Sequence, residues 1–400
     1  MERKSVSESI EFFQKILRQY ENDPKLEVTN CTEEAGSNIG DNYMSVVIRT
    51  IVDGKSGNGK NYKKTLITKH CPHWRPTAKI ARNAELFFNE AHVFKNVLPH
   101  LKHVAPPCVY ASPDEIVLED MRIHGYVVQP RSNLLDMEHC TAVVQKLAFL
   151  HASSLALKLK NPSLFIELMT PLKEIVFPED DAPSFGKSID LSIGLAVRHL
   201  ESLEQSSELV NAIKLLESKT KDVFNIMKNL VAPGRDKYNS MSHGDCWNNN
   251  ILFKHDANGH VCDVKLIDFQ IVRHASPAID FHYFTYSSAQ SSIIEERYDE
   301  LVQIYHRHFV NTLKHMRVNE TDIQALSLAW FKSELKEYAE YGLFTGAWII
   351  NAVLAEDEDL INMDDVDPEF FKEKQDCFPI KPIKAHRIKC IVLHYMKTYL

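Results

Sequence analysis

The hydrophobic and polar positions of the chain change their period twice. Between residues 5 and 21 apolar side chains recur at helical spacing, at Ile10, Phe13, Ile16, Leu17 and Tyr20, and Asn22 with Pro24 ends the run. From about residue 27 to 71 the texture becomes that of strands. YMSVVIRTIV and KKTLITKHC are rich in β-branched residues, and GKSGNGKN between them reads as a hairpin turn. Helical spacing returns over 78–98 and stops at Pro99, and PPCVYAS, EIVLEDM and GYVVQP then read as three short strands. Beyond residue 135 the pattern is helical, up to a closing helix over 327–354, with one interruption where SMSHGDCWNNNILF and VKLIDFQ read as short strands around loops. The expected fold class is α+β: a helical extension over 1–28, a small β-rich lobe over 29–120 and a large, mostly helical lobe over 121–400. PEDDAPSFGKS at 178–188 is expected as an exposed loop, and the acidic run EDEDLINMDDVDPE at 356–369 as a solvated one.

Composition narrows the partners. A chain of 400 residues can build two lobes around a cleft, and 44% apolar with 25% charged residues is ordinary for a folded domain. Lys and Arg number 46 against 54 Asp and Glu, and the net charge of -8 speaks against a general affinity for nucleic acid or anionic membrane. The first residues are charged throughout and lack the apolar run of a secretory signal. No stretch approaches the roughly 20 apolar residues of a membrane span. The eight cysteines are scattered without a C-x-x-C pair and are expected to be reduced, mostly buried thiols. These features favour the cytoplasm.

The chemistry concentrates in HGDCWNNN at 243–250 and LIDFQ at 266–270. Phosphoryl transfer needs a carboxylate near the attacking hydroxyl and metal ligands near the β- and γ-phosphates of ATP. Asp245 lies in a loop and can accept the proton. Asn250 can reach a metal from the end of the same loop, and Asp268, after the apolar pair Leu266 and Ile267, can offer its carboxylate to Mg²⁺, a hard ion suited to oxygen ligands. Asp-containing turns are common and HGD alone means little; the conjunction with Asn250 and Asp268 is narrower. Lys69 sits within an apolar strand and needs an anionic partner or an edge to snorkel from. Glu90, on the helical face of Phe87, Ala91 and Phe94, is the expected partner, and the pair would hold the α- and β-phosphates. Gly36 and Gly40, in AGSNIGDNYMS, permit backbone amides to approach phosphates, although surface turns use the same residues. VLEDM at 117–121 has the form of a hinge, with backbone groups near Glu119 and Met121 available to an adenine edge.

Together these motifs resemble the protein-kinase-like superfamily in its small-molecule branch. Protein kinases carry H-R-D and D-F-G; here His243-Gly244-Asp245 and Asp268-Phe269-Gln270 resemble the choline kinases and aminoglycoside phosphotransferases. GDNYMS, VLEDM, LAFLHASSLAL, SHGDCWNNNILF, LIDFQ and SPAIDFHYF are most similar, in order, to the blocks of the ecdysteroid kinase-like family, over roughly residues 30–345. The resemblance implies a bilobal protein-kinase-like fold and an ATP- and Mg²⁺-dependent kinase of a small hydroxylated substrate, a steroid or xenobiotic alcohol. It makes Asp245 the catalytic base, Asn250 and Asp268 the metal ligands, and Lys69 with Glu90 the pair that orients ATP. It gives Asp280, His243 and His151 bracing roles around the catalytic loop. Cys246 and Asn248 depart from the family's usual Leu and Val without removing a reactive group.

The aromatic residues Trp330, Phe331, Tyr338, Tyr341, Phe344 and Trp348 are expected to be core for the most part, with one or two facing the cleft. A choline- or aminoglycoside-type kinase and a kinase-fold binding protein without turnover remain alternative readings. The first is separated by acceptor preference, the second by ATP turnover.

Overall fold

The computed structural model describes residues 5–36, 44–179, 184–233, 236–356 and 379–400. Gly40 and most of the acidic run at 356–369 lie outside the described residues. The chain opens with helix α1, Val6–Tyr20, started by a capping box in which Ser5 and Glu8 satisfy each other's free backbone N–H groups. Strands β1 (Glu27–Ala35), β2 (Val46–Lys55), β3 (Asn61–His70), β4 (Cys108–Ala111) and β5 (Glu115–Glu119) form one antiparallel sheet in the order β1-β2-β3-β5-β4. Alternation along β3 gives the sheet two working faces. Leu66 belongs to the outer one and packs with Val52 and Val117 against Phe13, Ile16 and Leu17 of α1. Lys69 lies three residues on and so faces the other lobe.

The sequence places a helix over 78–98, and the structure starts it later. Arg82 is left-handed at φ +53°, which breaks the backbone before α2, Asn83–His92. The helix then loosens into a π turn, Val93–Val97, and tightens into a 3-10 turn, Leu98–His100.

The helical lobe begins after the short strand β6, Tyr126–Val127, with α3, Met137–Lys160, capped by Asp136. By length and composition α3 is the one helix among the described residues that could cross a membrane, and here it is mostly buried among other helices. Next come α4 (Pro162–Met169), α5 (Ile189–Glu201), α6 (Ser207–Lys219) and α7 (Val223–Val231). Strand β7 (Ser240–Ser242) pairs with β10 (Arg273–Ala275), and β8 (Ile251–His255) pairs with β9 (Val261–Leu266) and β6. Then follow α8 (Pro277–Ser288), α9 (Ser291–Glu296), α10 (Tyr298–His315), α11 (Glu320–Ala325), α12 (Leu328–Glu337), α13 (Ala339–Val353) and α14 (Pro382–Tyr399). The single helix expected over 327–354 is thus two: Tyr338, at φ -98° and ψ 14°, ends α12. The end of the expected loop at 178–188 also differs, since Ser184 turns inward and gives its hydroxyl to Ile175 and Val176 carbonyls.

Helix α8 is the axis of this lobe. All twelve of its residues are buried, and it packs on α13, α12 and α3. Gly342 allows the closest approach: a Cβ there would stand 2.7 Å from His282.

The contact between α1 and the sheet generates one expectation. Phe13 is buried at the centre of that small apolar cluster. Phe13→Ala is expected to cost about 3–5 kcal/mol in chemical denaturation and to speed amide exchange in β1 to β3, because the cavity sits in a lobe with little other core.

Candidate active site

Helix α8 anchors the start of the loop between β7 and β8 through Asp280. The buried carboxylate of Asp280 accepts the amides of His243 at 2.5 Å and Gly244 at 2.8 Å, and a ring nitrogen of His151 at 2.9 Å. His151 comes from α3, and its other ring nitrogen meets the Tyr305 hydroxyl of α10 at 2.7 Å. Burial alone would raise the Asp280 pKa, yet its bonds to His151 and the His243 amide hold it below the ordinary carboxylate value. Gly244 is φ +83°, and a Cβ there would stand 1.9 Å from the Ile271 carbonyl oxygen. No larger residue fits between His243 and Asp245 without moving the segment that leads into β10. The His243 ring accepts the Asp245 amide at 3.3 Å and meets the Ile267 carbonyl oxygen at 3.0 Å. It therefore carries its proton on Nε2, and burial lowers its pKa.

Asp245 emerges from this braced loop with both carboxylate oxygens engaged. The Tyr283 hydroxyl donates to Oδ1 at 2.6 Å, and the Asn250 amide donates to Oδ2 at 2.9 Å and to the Asp245 carbonyl at 2.9 Å. Burial and the nearby charge of Asp268 push the Asp245 carboxyl up to about 7 against these two donors. Because the Asn250 NH₂ group faces Asp245, its carbonyl oxygen is left for a different ligand. Asp268 lies beyond the end of β9 in the left-handed region, φ +71°, a conformation that costs a residue of this kind about 1–3 kcal/mol. Its carboxylate receives Lys69 Nζ at 2.8 Å, and the same ammonium donates to Glu90 at 2.6 Å. Burial works against the charge on Lys69, and the two carboxylates outweigh it and raise its pKa.

The structure thus brings together Asp245, Asn250, Asp268, Lys69 and Glu90. Asp268 and Asn250 line the same cavity, and a carboxylate with an amide oxygen is the hard-donor chemistry that suits Mg²⁺. Gly36 stands apart: its amide donates to the Val47 carbonyl at 3.0 Å, and a Cβ would come within 2.7 Å of the Val47 side chain. Its bareness serves the pairing with β2, while Met44 and Ser45 line the cleft itself. Glu119 and Met121 are not among the residues that line the cavity beside Asp245. The Glu119 amide donates to Pro107 at 3.0 Å, and its side chain pairs with Lys64 at 2.6 Å.

Several contributors were given no role at the site from the sequence. Tyr283 follows Asp280 by three residues, so one turn of α8 presents both to the loop that carries Asp245; that spacing is the signal that could have found it. Gln270 donates to Glu90 at 3.0 Å, and Asn89 donates to the Gln270 backbone at 3.1 Å, tying α2 to the segment after Asp268. Arg273, fully paired with Glu174, donates to the Tyr341 hydroxyl at 3.3 Å. Asn248, the departure from the family pattern, joins the loop to Ser288 and Gln129, each at 3.0 Å.

Above Asp245 and Asp268 opens a cavity walled by Phe177, Phe185, Trp247, Tyr283, Tyr341 and Trp348. Phe185 and Trp348 stack, and the Trp348 indole donates to Ser188. Of the aromatic residues of α12 and α13, Tyr341 and Trp348 reach this cavity, while Phe331, Tyr338 and Phe344 are core.

A sheet lobe and a helical lobe that share this cleft make the molecule a phosphotransferase of the kinase-like fold, of the kind that acts on small molecules. The chain belongs to the ecdysteroid kinase-like family, whose family model matches residues 39–318, more than half of its length. No curated protein matches it. Among solved structures it is similar to a macrolide 2'-phosphotransferase type I, at 14% identity and a TM-score of 0.38 over 90% of this chain and 96% of that one. It is similar also to the macrolide 2'-phosphotransferase MphH of Brachybacterium faecium, at 14% and 0.37 over 88% and 98%. An aminoglycoside phosphotransferase of Alicyclobacillus acidocaldarius aligns at 13% and 0.30 over 87% and 89%. The family assignment does not depend on these distant likenesses.

Asp280→Asn is expected to lower stability by about 2–3 kcal/mol, since a charged acceptor of two buried amides is lost. Because the native pKa lies below the unfolded value of about 3.9, the carboxylate's contribution is present above that pH and lost as the pH falls. The variant's acid-unfolding curve is therefore expected to be flatter than the wild type's below about pH 4.

Proposed function

We propose that the protein transfers the γ-phosphoryl group of ATP to the hydroxyl of a small neutral alcohol, an ecdysteroid or a similar sterol or xenobiotic. The observation that carries this reading is the position of Asp245. It lies at the floor of a largely apolar cavity, beside Asp268 and Asn250. An alcohol bound against the aromatic walls would present its hydroxyl to Asp245, which accepts the proton as the oxygen attacks the γ-phosphorus and ADP leaves. The Tyr283 and Asn250 donors orient the carboxylate and leave lone pairs for that proton. Asp268 and the Asn250 carbonyl are the groups that would hold Mg²⁺, which supplies charge neutralisation on the phosphates. Lys69, steered by Glu90, adds a second positive charge there.

The lining favours a neutral acceptor. Among the described residues that line it, Asp245 and Asp268 are the only carboxylates and the remaining walls are largely apolar and aromatic, a lining suited to an uncharged body. The enclosed volume is about 170 Å³, below the roughly 300 Å³ at which ordinary ligand pockets begin. It takes the hydroxyl-bearing end of an acceptor and leaves the rest of a larger body towards the opening.

The test is ATP consumption with Mg²⁺ against ecdysteroids, choline-like amines and hydroxylated xenobiotics. Turnover with neutral alcohols is expected, with kcat about 10²–10⁴ lower in Asp245→Asn, the range a general base contributes. Preferred turnover of the amines would overturn the acceptor assignment. ATP binding without turnover on any acceptor would point to a binding protein. Trp348→Ala is expected to raise the acceptor KM about tenfold or more, as loss of a buried aromatic anchor does, while the KM for ATP stays within about twofold.

A further inference from the structure

A second and larger cavity, of about 590 Å³, lies against the strand and turn that carry Glu119 and Met121. It shares no lining residue with the cavity above Asp245. Its apolar wall is Phe94, Leu98, Leu101, Met121 and Tyr126. Its polar rim is cationic: Lys102, Lys254 and Lys265, with His103 and His124 beside them. Among the described residues of the lining the one carboxylate is Glu119, which meets Lys64 at 2.6 Å, the Tyr20 hydroxyl at 3.1 Å and His124 at 4.0 Å.

The lysines are unevenly satisfied. Lys265 donates to the His103 carbonyl at 3.1 Å and lies 3.6 Å from Asp263. Lys254 faces the Tyr126 ring at 5.7 Å. Among the described residues neither Lys254 nor Lys102 has a hydrogen bond or an ion pair. Lys102 is exposed and Lys254 half-buried, so both ammonium groups stand at the rim of the cavity, where an anion can pair with them. The wall is also built rather than incidental. Val104 accepts the Leu266 amide at 2.9 Å, and Lys146 and Lys265 both hold the His103 carbonyl, fixing His103 at φ +69°, where a side chain is held only by its surroundings.

We infer that this cavity binds a small organic anion, an apolar body bearing one phosphate, sulfate or carboxylate group, with the anion between Lys102 and Lys254 and the body against Phe94, Leu98 and Tyr126. The volume lies within the usual range for a small-molecule site. Glu119 and Met121 flank Asp120, whose carboxylate binds Arg49 of β2 at 2.6 Å and Arg122 at 3.0 Å. A ligand here therefore touches the connection between the lobes.

Calorimetric titration with 1-naphthyl phosphate, 1-naphthol and inorganic phosphate tests this, with and without saturating ATP and Mg²⁺. The inference does not rest on the kinase reading, because binding is measured in both conditions. The wild type is expected to bind 1-naphthyl phosphate in both, and each half-molecule at least about tenfold more weakly. The double variant Lys102→Ala, Lys254→Ala, shown to be folded by an unchanged melting temperature, is expected to bind the ester at least about tenfold more weakly. Loss of binding when ATP is added would assign the probe to the cleft and overturn the inference. So would unchanged affinity in the variant, equal affinity for inorganic phosphate, or no binding at all.

Discussion

One buried carboxylate fixes the geometry of the candidate site. Asp280 has no solvent to neutralise it and is kept charged by two backbone amides and a histidine. Those amides belong to consecutive residues, His243 and Gly244, so the carboxylate sets the direction in which the chain enters Asp245. The arrangement explains why α8 is buried on every side. A charge at this depth is tolerable only inside a rigid shell that keeps its donors in place, and α3, α12 and α13 supply that shell. Gly244 follows from the same constraint, since a loop drawn so tightly against the Ile271 carbonyl has no room for a Cβ.

The second constraint couples the lobes. Lys69 belongs to the sheet, Glu90 to α2 and Asp268 to the segment after β9, and one ammonium touches both carboxylates. Gln270 and Asn89 add neutral hydrogen bonds across the same junction. Where protein kinases place a glycine after Asp-Phe, this chain places an amide that grips Glu90. That bond and the one from Asn89 hold the segment against α2. The π turn after α2 brings Phe94 onto Phe269 at 5.9 Å, so apolar packing supports the polar bridge.

Much of this was legible because it is local. The strands and their hairpin follow from β-branched runs around glycines, and Asp245, Asn250 and Asp268 stand out because motif spacing constrains a loop. Lys69 was legible for the opposite reason, as a charge out of place in an apolar strand. What escaped is what depends on distant segments. The break at Tyr338 has no Gly or Pro to announce it; Glu334, four residues earlier, turns its carboxylate to Ser276 at the start of α8. Arg82 gives no sign of its left-handed backbone either, since Arg rarely adopts it. Gly36 has close packing beside Val47 that its sequence context does not announce.

The cavity above Asp245 shows why a family resemblance can identify a reaction and leave the acceptor open. Its floor comes from the loop that carries Asp245 and from α8, where the hydrogen bonds of Asp280 and Tyr283 fix the residues. Its walls come from elsewhere: Val176 and Phe177 after α4, Phe185 before α5, Tyr341 and Trp348 on α13. Those segments are remote in sequence from the motifs and from one another. They are tied together mainly by packing, with the Glu174–Arg273 pair and the Trp348–Ser188 bond as the polar stitches. Packing tolerates exchange of one apolar side chain for another of similar volume far better than the loop tolerates any change at Gly244. On the proposed reading, in which this cavity takes the acceptor, the walls can be recut for different alcohols while the floor stays fixed, and selectivity would follow wall shape rather than the reacting groups.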